Sequence, residues 1–155
     1  MDTELERPRW RFTGTYRFTP RFQAGAEWNP AAGELGFIGN WTLNPESERW
    51  PMVNLGTSSD RIGTPEGPHA YYVTVAKGFP KYGLGPYFSV NYSEFDQRVN
   101  FPFGVNFQVS PSVTALFMND GRKSHLLATY SQEDWSVSAM WIWLKRPGIS
   151  VSFGF

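Results

Sequence analysis

The stretch VNFPFGVNFQV, residues 99–109, puts Val99, Phe101, Phe103, Val105, Phe107 and Val109 in one row and Asn100, Pro102, Gly104, Asn106 and Gln108 in the other. Successive side chains of a strand point to opposite sides of its sheet, so this period of two predicts a β-strand with one apolar and one polar face. The pattern recurs along the chain. In RWRFTGTYRFT (9–19), Trp10, Phe12, Gly14, Tyr16 and Phe18 oppose Arg9, Arg11, Thr13, Thr15 and Arg17. RFQAGAEW (21–28) sets Phe22, Ala24, Ala26 and Trp28 against Arg21, Gln23, Gly25 and Glu27. ELGFIGNWTL (34–43) aligns Leu35, Phe37, Gly39, Trp41 and Leu43, and WSVSAMWIW (135–143) aligns Trp135, Val137, Ala139, Trp141 and Trp143. Weaker alternation marks PMVNLGTS (51–58), HAYYVTVAKGF (69–79), PYFSVNYSEF (86–95), SVTALFM (112–118) and SHLLATYS (124–131). No segment carries a 3.6-residue period, so no helix is predicted.

Turn signals separate these runs. The compact ones are TPR (19–21), FPKYG (79–83), SPS (110–112) and QED (132–134), with NPESER (44–49) as a longer member of the set. The others are longer or bear glycine: NPAAGE (29–34), SDRIGTPEGPH (59–69), EFDQR (94–98), NDGRK (119–123) and KRPG (145–148). About eleven strands follow one another with no room for a crossover helix, which predicts an antiparallel meander.

Composition decides what such a meander does with its apolar face. The chain has 155 residues, 17% aromatic and 18% charged, with 14 basic and 14 acidic residues and no cysteine. Its mean hydropathy is −0.40. The apolar groups of this aromatic-rich but polar chain are therefore segregated. Zero net charge gives no field that attracts nucleic acid. The missing cysteines exclude a disulfide framework and thiolate metal sites, and two histidines, His69 and His125, are too few for a histidine-rich one. No metal and no cofactor is expected. No apolar run reaches the roughly 20 residues of a membrane helix. MDTELERPRW (1–10) is not a signal peptide, so one is expected to have been removed or trimmed if the protein is exported.

A soluble barrel turns its apolar face inward, and a membrane barrel turns it toward lipid. Three features favour lipid. The polar rows are mostly Ser, Thr, Asn, Gln and Gly; rings stand near strand ends at Trp10, Phe18, Phe22, Trp28, Trp41, Tyr92, Trp135 and Trp143; and a repeat of about 14 residues suits strands of about 9–11 residues crossing a bilayer. The expected fold is an all-β, antiparallel up-and-down transmembrane barrel of about 10–12 strands, over residues 9–155 behind a short tail, 1–8.

The last eight residues, GISVSFGF (148–155), resemble the C-terminal assembly signal of bacterial outer-membrane β-barrels, with Gly148, Val151, Phe153 and Phe155 in its places. The segment 85–131 is similar, more loosely, to hairpin units of YjbH-type barrels, which are linked to exopolysaccharide export. The first resemblance implies an outer-membrane location, partnership with the barrel-assembly machinery and a bilayer or detergent, and a last strand that closes the barrel. It also implies that the compact breaks face the periplasm and the longer loops face outward. Even strand numbers are the rule for such barrels. About eleven strands then imply either one upstream or a miscount, with 51–59 the first candidate.

Chemistry-bearing residues are sparse. Arg9, Arg11, Arg17 and Arg21 form a basic track on the polar face, which in a lumen favours anionic solutes. Glu27 and Glu34 are candidate partners that would instead cross-pair with it. His125 adjoins Ser124 near Asn119 and Asp120, but neighbours on a strand point apart, so a hydrolase pair is not expected. The expected function is a small passive pore for polar or anionic solutes and not an enzyme. The alternatives are a non-transporting structural or export-associated barrel and a soluble ligand-binding barrel.

Overall fold

A computed structural model describes residues 11–30, 33–60 and 67–154. Twelve strands follow in chain order: β1 (Phe12–Thr19), β2 (Phe22–Asn29), β3 (Glu34–Asn44), β4 (Met52–Ser59), β5 (His69–Ala76), β6 (Leu84–Ser93), β7 (Arg98–Asn100), β8 (Phe103–Ser110), β9 (Val113–Asn119), β10 (Ser124–Ser131), β11 (Trp135–Ile142) and β12 (Arg146–Phe153). They form one up-and-down sheet in which each strand lies beside its sequence neighbour, with β7 added beside β6. The sheet is not closed. The only helical turn among the described residues is the 3₁₀ turn Pro80–Tyr82, which ends at Gly83 in the left-handed region, φ 62°.

The alternating runs become strands where expected, with three differences. Segment 51–59, the suspected miscount, is a strand, because its one proline, Pro51, precedes the ladder. The run 99–109 is two strands, β7 and β8, with Phe101 and Pro102 between them. Asn91 faces Asn100 and Phe88 faces Phe103, so the register is the same on both sides of the break. Proline has no N–H to give the ladder, and the pairing lapses there without slipping. KRPG is not a loop: Arg146, Pro147 and Gly148 pair with Ile142, Trp141 and Met140. Proline is tolerated there because β12 has a ladder on its β11 side alone among the described residues.

The turn lies instead at Trp143–Lys145, closed by the Lys145 N–H on the Ile142 carbonyl at 3.0 Å. Trp143 and Leu144 both have positive φ, 55° and 54°. Two successive left-handed residues are the backbone of a type I′ turn, which usually takes Asn-Gly, here inside a three-residue loop. A side chain in that region costs about 1–2 kcal/mol per residue. Trp143 thereby leaves the apolar row where its spacing had placed it, and is only 9% exposed.

The strands gather into two compact units, Met1–Val75 with Ser89–Asn100, and Ala76–Phe88 with Phe101–Phe155. Among the described residues neither has an ordinary apolar core. In the first, the buried apolar side chains are Ala24 and Ala70, against buried Glu27, Asp60, Ser89, Asn91, Ser93 and Asn100. In the second, Trp143 and His125 are buried. More than thirty large apolar side chains are exposed among the described residues.

Candidate functional site

Strand β6 shows the inversion most cleanly. Phe88, Val90 and Tyr92 are exposed, while the alternating Ser89, Asn91 and Ser93 are buried. β5 repeats it in part, with Tyr71, Val73 and Val75 exposed. The polar face is the covered one. Its backbone neighbours tolerate this because hydroxyls pair across strands: Thr74 and Ser89 at 2.7 Å, Thr129 and Ser138 at 2.8 Å. Burying a hydroxyl is cheap once it has a partner.

The exposed face carries its rings in pairs around hairpin ends. Phe18 and Phe22 flank the first turn with centroids 5.8 Å apart, and Tyr130 and Trp135 flank another at 5.7 Å. Phe12 and Trp28 meet at 5.8 Å at the opposite end of the first hairpin. Phe18, Phe22, Trp28, Trp41, Tyr92 and Trp135 are all exposed, as their row position predicts. Trp10 lies outside the described residues.

In the first unit the covered face is acidic and amide-rich. Glu27 is buried, and its carboxylate receives the Arg11 guanidinium at 3.0 Å and the Ser59 hydroxyl at 3.1 Å. The basic track is thus tied down at Arg11, with Arg17 and Arg21 exposed. Arg9 and the side chain of Glu34 lie outside the described residues. Asp60 and Ser93 are the most deeply buried side chains, with the Ser93 hydroxyl donating to Asp60 and accepting from the Asp96 N–H at 3.0 Å. Glu94 accepts from the His69 N–H and the Tyr71 hydroxyl, each at 2.8 Å. The His69 N–H first, then the tyrosine, hold its carboxyl below the usual range against a small opposing burial effect. Asn40 Oδ1, Asn54 Oδ1, Asn91 Oδ1 and Asn100 Nδ2 are buried with no hydrogen-bond partner among the described residues. Each such group costs about 1–3 kcal/mol unless water or a solute reaches it.

In the second unit the register places a different set on the corresponding face. Leu116 pairs with Leu127, and Leu127 with Met140. Met118 pairs with His125, one step nearer the turns. Met140 and Ile142 lie over Gly148, where a Cβ would come within 3.2 Å of one and 3.4 Å of the other. Gly104 lies beneath Tyr87 in the same way: a Cβ there would meet the ring at 2.6 Å and the Phe117 carbonyl at 2.7 Å.

Two turns meet at one end of this unit. In NDGRK, Asp120 Oδ1 accepts the N–H groups of Arg122 and Lys123, and Asp120 Oδ2 lies 3.0 Å from His125 Nε2. Burial pushes the Asp120 carboxyl up, but His125 and the two backbone N–H groups outweigh it and hold the carboxyl below its usual range. Lys123 Nζ stands 3.6 Å from the Trp143 ring centroid. Ser124 instead bonds to the Asn119 amide at 3.1 Å. Ser124 and His125 thus have separate partners, as their adjacency on one strand requires.

Of the residues expected to form an assembly signal, Gly148, Val151 and Phe153 lie on β12, and Val151 and Phe153 are exposed. Phe155 lies outside the described residues. Sequence reasoning offered Glu27 as a partner for the basic track, and Arg11 is the residue it meets; it missed the Asp60–Ser93 contact, since no local spacing announces a partner on another strand. It also missed the aliphatic patch, whose signal was the weak alternation of SVTALFM and SHLLATYS. No family model, curated protein or solved structure matches this chain.

Proposed function

We propose that this chain is a membrane-embedded β-barrel of the bacterial outer-membrane type, with its apolar face against lipid and its covered face lining a hydrated passage for small polar solutes. The observation that carries this reading is the inversion along β6, where Phe88, Val90 and Tyr92 are exposed and Ser89, Asn91 and Ser93 are buried. Covering a large apolar side chain gains roughly 1.5–3 kcal/mol. Leaving more than thirty of them in water forfeits tens of kcal/mol on that scale, several times the roughly 5–15 kcal/mol stability of a typical domain. Lipid supplies that cover. In a bilayer an open sheet edge leaves backbone groups unpaired, so the sheet closes. β7 and β8 share one row beside β6, giving eleven rows among the described residues. Antiparallel closure takes an even number, so one further row belongs to this proposal.

The buried, unpartnered Asn amides support a wet interior, because each gains a partner when water fills it. The Arg11–Glu27 pair removes much of the case for anion selectivity, so the solute class is polar rather than anionic. The same pair supports a second reading, a non-transporting barrel braced by cross-paired charges. β12, with Gly148, Val151 and Phe153, would be the strand presented to the assembly machinery.

The test is to fold the chain into vesicles, float them in a density gradient after alkaline extraction, and record planar-bilayer currents. The pore predicts co-flotation and reproducible single-channel steps. Co-flotation with silent bilayers selects the non-transporting barrel. Failure to float, with a soluble folded chain, overturns both.

A further inference from the structure

The covered face of the second unit is graded along its strands. Toward the short turns it carries Thr114, Thr129, Ser138 and Ser150 in one cross-strand row. The next rows hold Leu116, Leu127 and Met140, then Met118 and Ile142 on either side of His125. At the far end stand the NDGRK turn and the Trp143–Lys145 turn, joined by the Lys123–Trp143 contact. Of the cations on these turns, Lys123 is fixed by its contact with Trp143, and the neighbouring acid, Asp120, is engaged by His125.

We propose that this face binds a single-chain anionic amphiphile, its hydrocarbon along Leu116, Leu127 and Met140 and its head at the Lys123–Trp143 turn. The proposal rests on the barrel reading and names a ligand class for one part of its interior. A water-filled lumen has no use for the unbroken aliphatic row Leu116–Leu127–Met140, since exposed aliphatic surface is unfavourable in water. A hydrocarbon chain covers it. Charge complementarity selects the sign of the head, because Lys123 stands against Trp143 at the end of the patch. Trp143 is a second and independent pointer. It is held in the left-handed region, buried, and its Nε1–H has no acceptor among the described residues. Backbone strain of this kind persists where the surroundings hold it in place, often at ligand clamps. An anionic head supplies the acceptor that the indole lacks.

The probe is dansyl-aminoundecanoate, titrated into the full chain in zwitterionic vesicles with empty vesicles as baseline and read by dansyl emission on tryptophan excitation. Saturable binding that laurate displaces is expected. Leu127→Gln with Met140→Gln should weaken it by about tenfold or more, Lys123→Gln by about threefold to tenfold, and a dansyl alkylammonium of equal length should bind more weakly than the carboxylate. Purely linear partitioning, or equal affinity in all variants, overturns the proposal. If the double variant does not fold, Lys123→Gln and the cationic probe decide: unchanged affinity for the first and equal affinity for the second overturn it. Flotation reports the barrel reading separately, and a chain that stays in buffer is titrated there with the same probes and the same outcomes.

Discussion

The two units carry opposite chemistries on the face turned away from their exposed aromatic rows. The first covers Glu27, Asp60, Ser89, Asn91, Ser93 and Asn100, with four Asn amide atoms lacking protein partners. The second places Leu116, Leu127, Met140 and Ile142 there, and at its turn end a paired His125 and Asp120. Their exposed faces do not differ in this way, since both carry Phe, Trp, Tyr, Val and Leu. On the barrel proposal, a shared exposed face with divergent opposite faces is expected, since one solvent constrains the outside and function shapes the inside. Lipid imposes uniformity, whereas water, a solute or a ligand does not.

The largest way to break this comparison is to charge the shared face. Val90→Lys, on the exposed row of β6, should cost about 2–4 kcal/mol in vesicle-based unfolding if it lies near the bilayer midplane. Asn106→Lys, on the other row of β8, should cost much less. Equal penalties would mean that the two faces see the same medium. The glycines that seat the tyrosines give the next effect. Gly104→Ala pushes into both the Tyr87 ring and the Phe117 carbonyl, whereas Gly56→Ala meets only the ring end of Tyr72, at 2.5 Å. The backbone oxygen cannot swing aside, so Gly104→Ala should lose about 1–3 kcal/mol and Gly56→Ala less, measured by urea unfolding. Ser93→Ala removes one donor from buried Asp60 and should cost about 1–3 kcal/mol in the same assay.

Acid should act on both units in the same direction. Glu94 and Asp120 have folded pKa values below their ordinary ones. Each therefore adds stability that is fully present above the ordinary carboxylate range and lost as pH falls through the folded value. Unfolding midpoints should drop on acidification below that range, and Asp120→Asn should flatten part of the drop. A midpoint that rises there would reverse the sign. The smallest change is a gain: Leu144→Gly frees one left-handed side chain and should stabilise by about 1 kcal/mol, seen as a later urea midpoint.

Much of this fold is legible in the sequence because a strand's faces are written with period two. Phe12 to Phe18, Leu35 to Leu43 and Trp135 to Trp141 read directly. What fails is what period two does not encode. The ladder lapse at Pro102 depends on which partner N–H is missing, and the position of the last hairpin depends on two residues, Trp143 and Leu144, that rarely adopt turn geometry. Partnerships such as Asp60 with Ser93, 33 residues apart, need the register of the intervening strands. The aliphatic patch was hidden for the opposite reason. Leu116, Met118 and Leu127 blur the alternation of their strands, and the blur marks a covered face that is apolar instead of polar.

The central claim is that lipid covers the exposed row and not the other. Because the chain has no cysteine, single cysteines at positions 88 to 93 can be labelled with an environment-sensitive fluorophore in folded, vesicle-embedded protein. The account predicts blue-shifted, lipid-quenchable emission at 88, 90 and 92, and polar emission insensitive to lipid quenchers at 89, 91 and 93. Emission that does not alternate, or that alternates in the opposite sense, would contradict it.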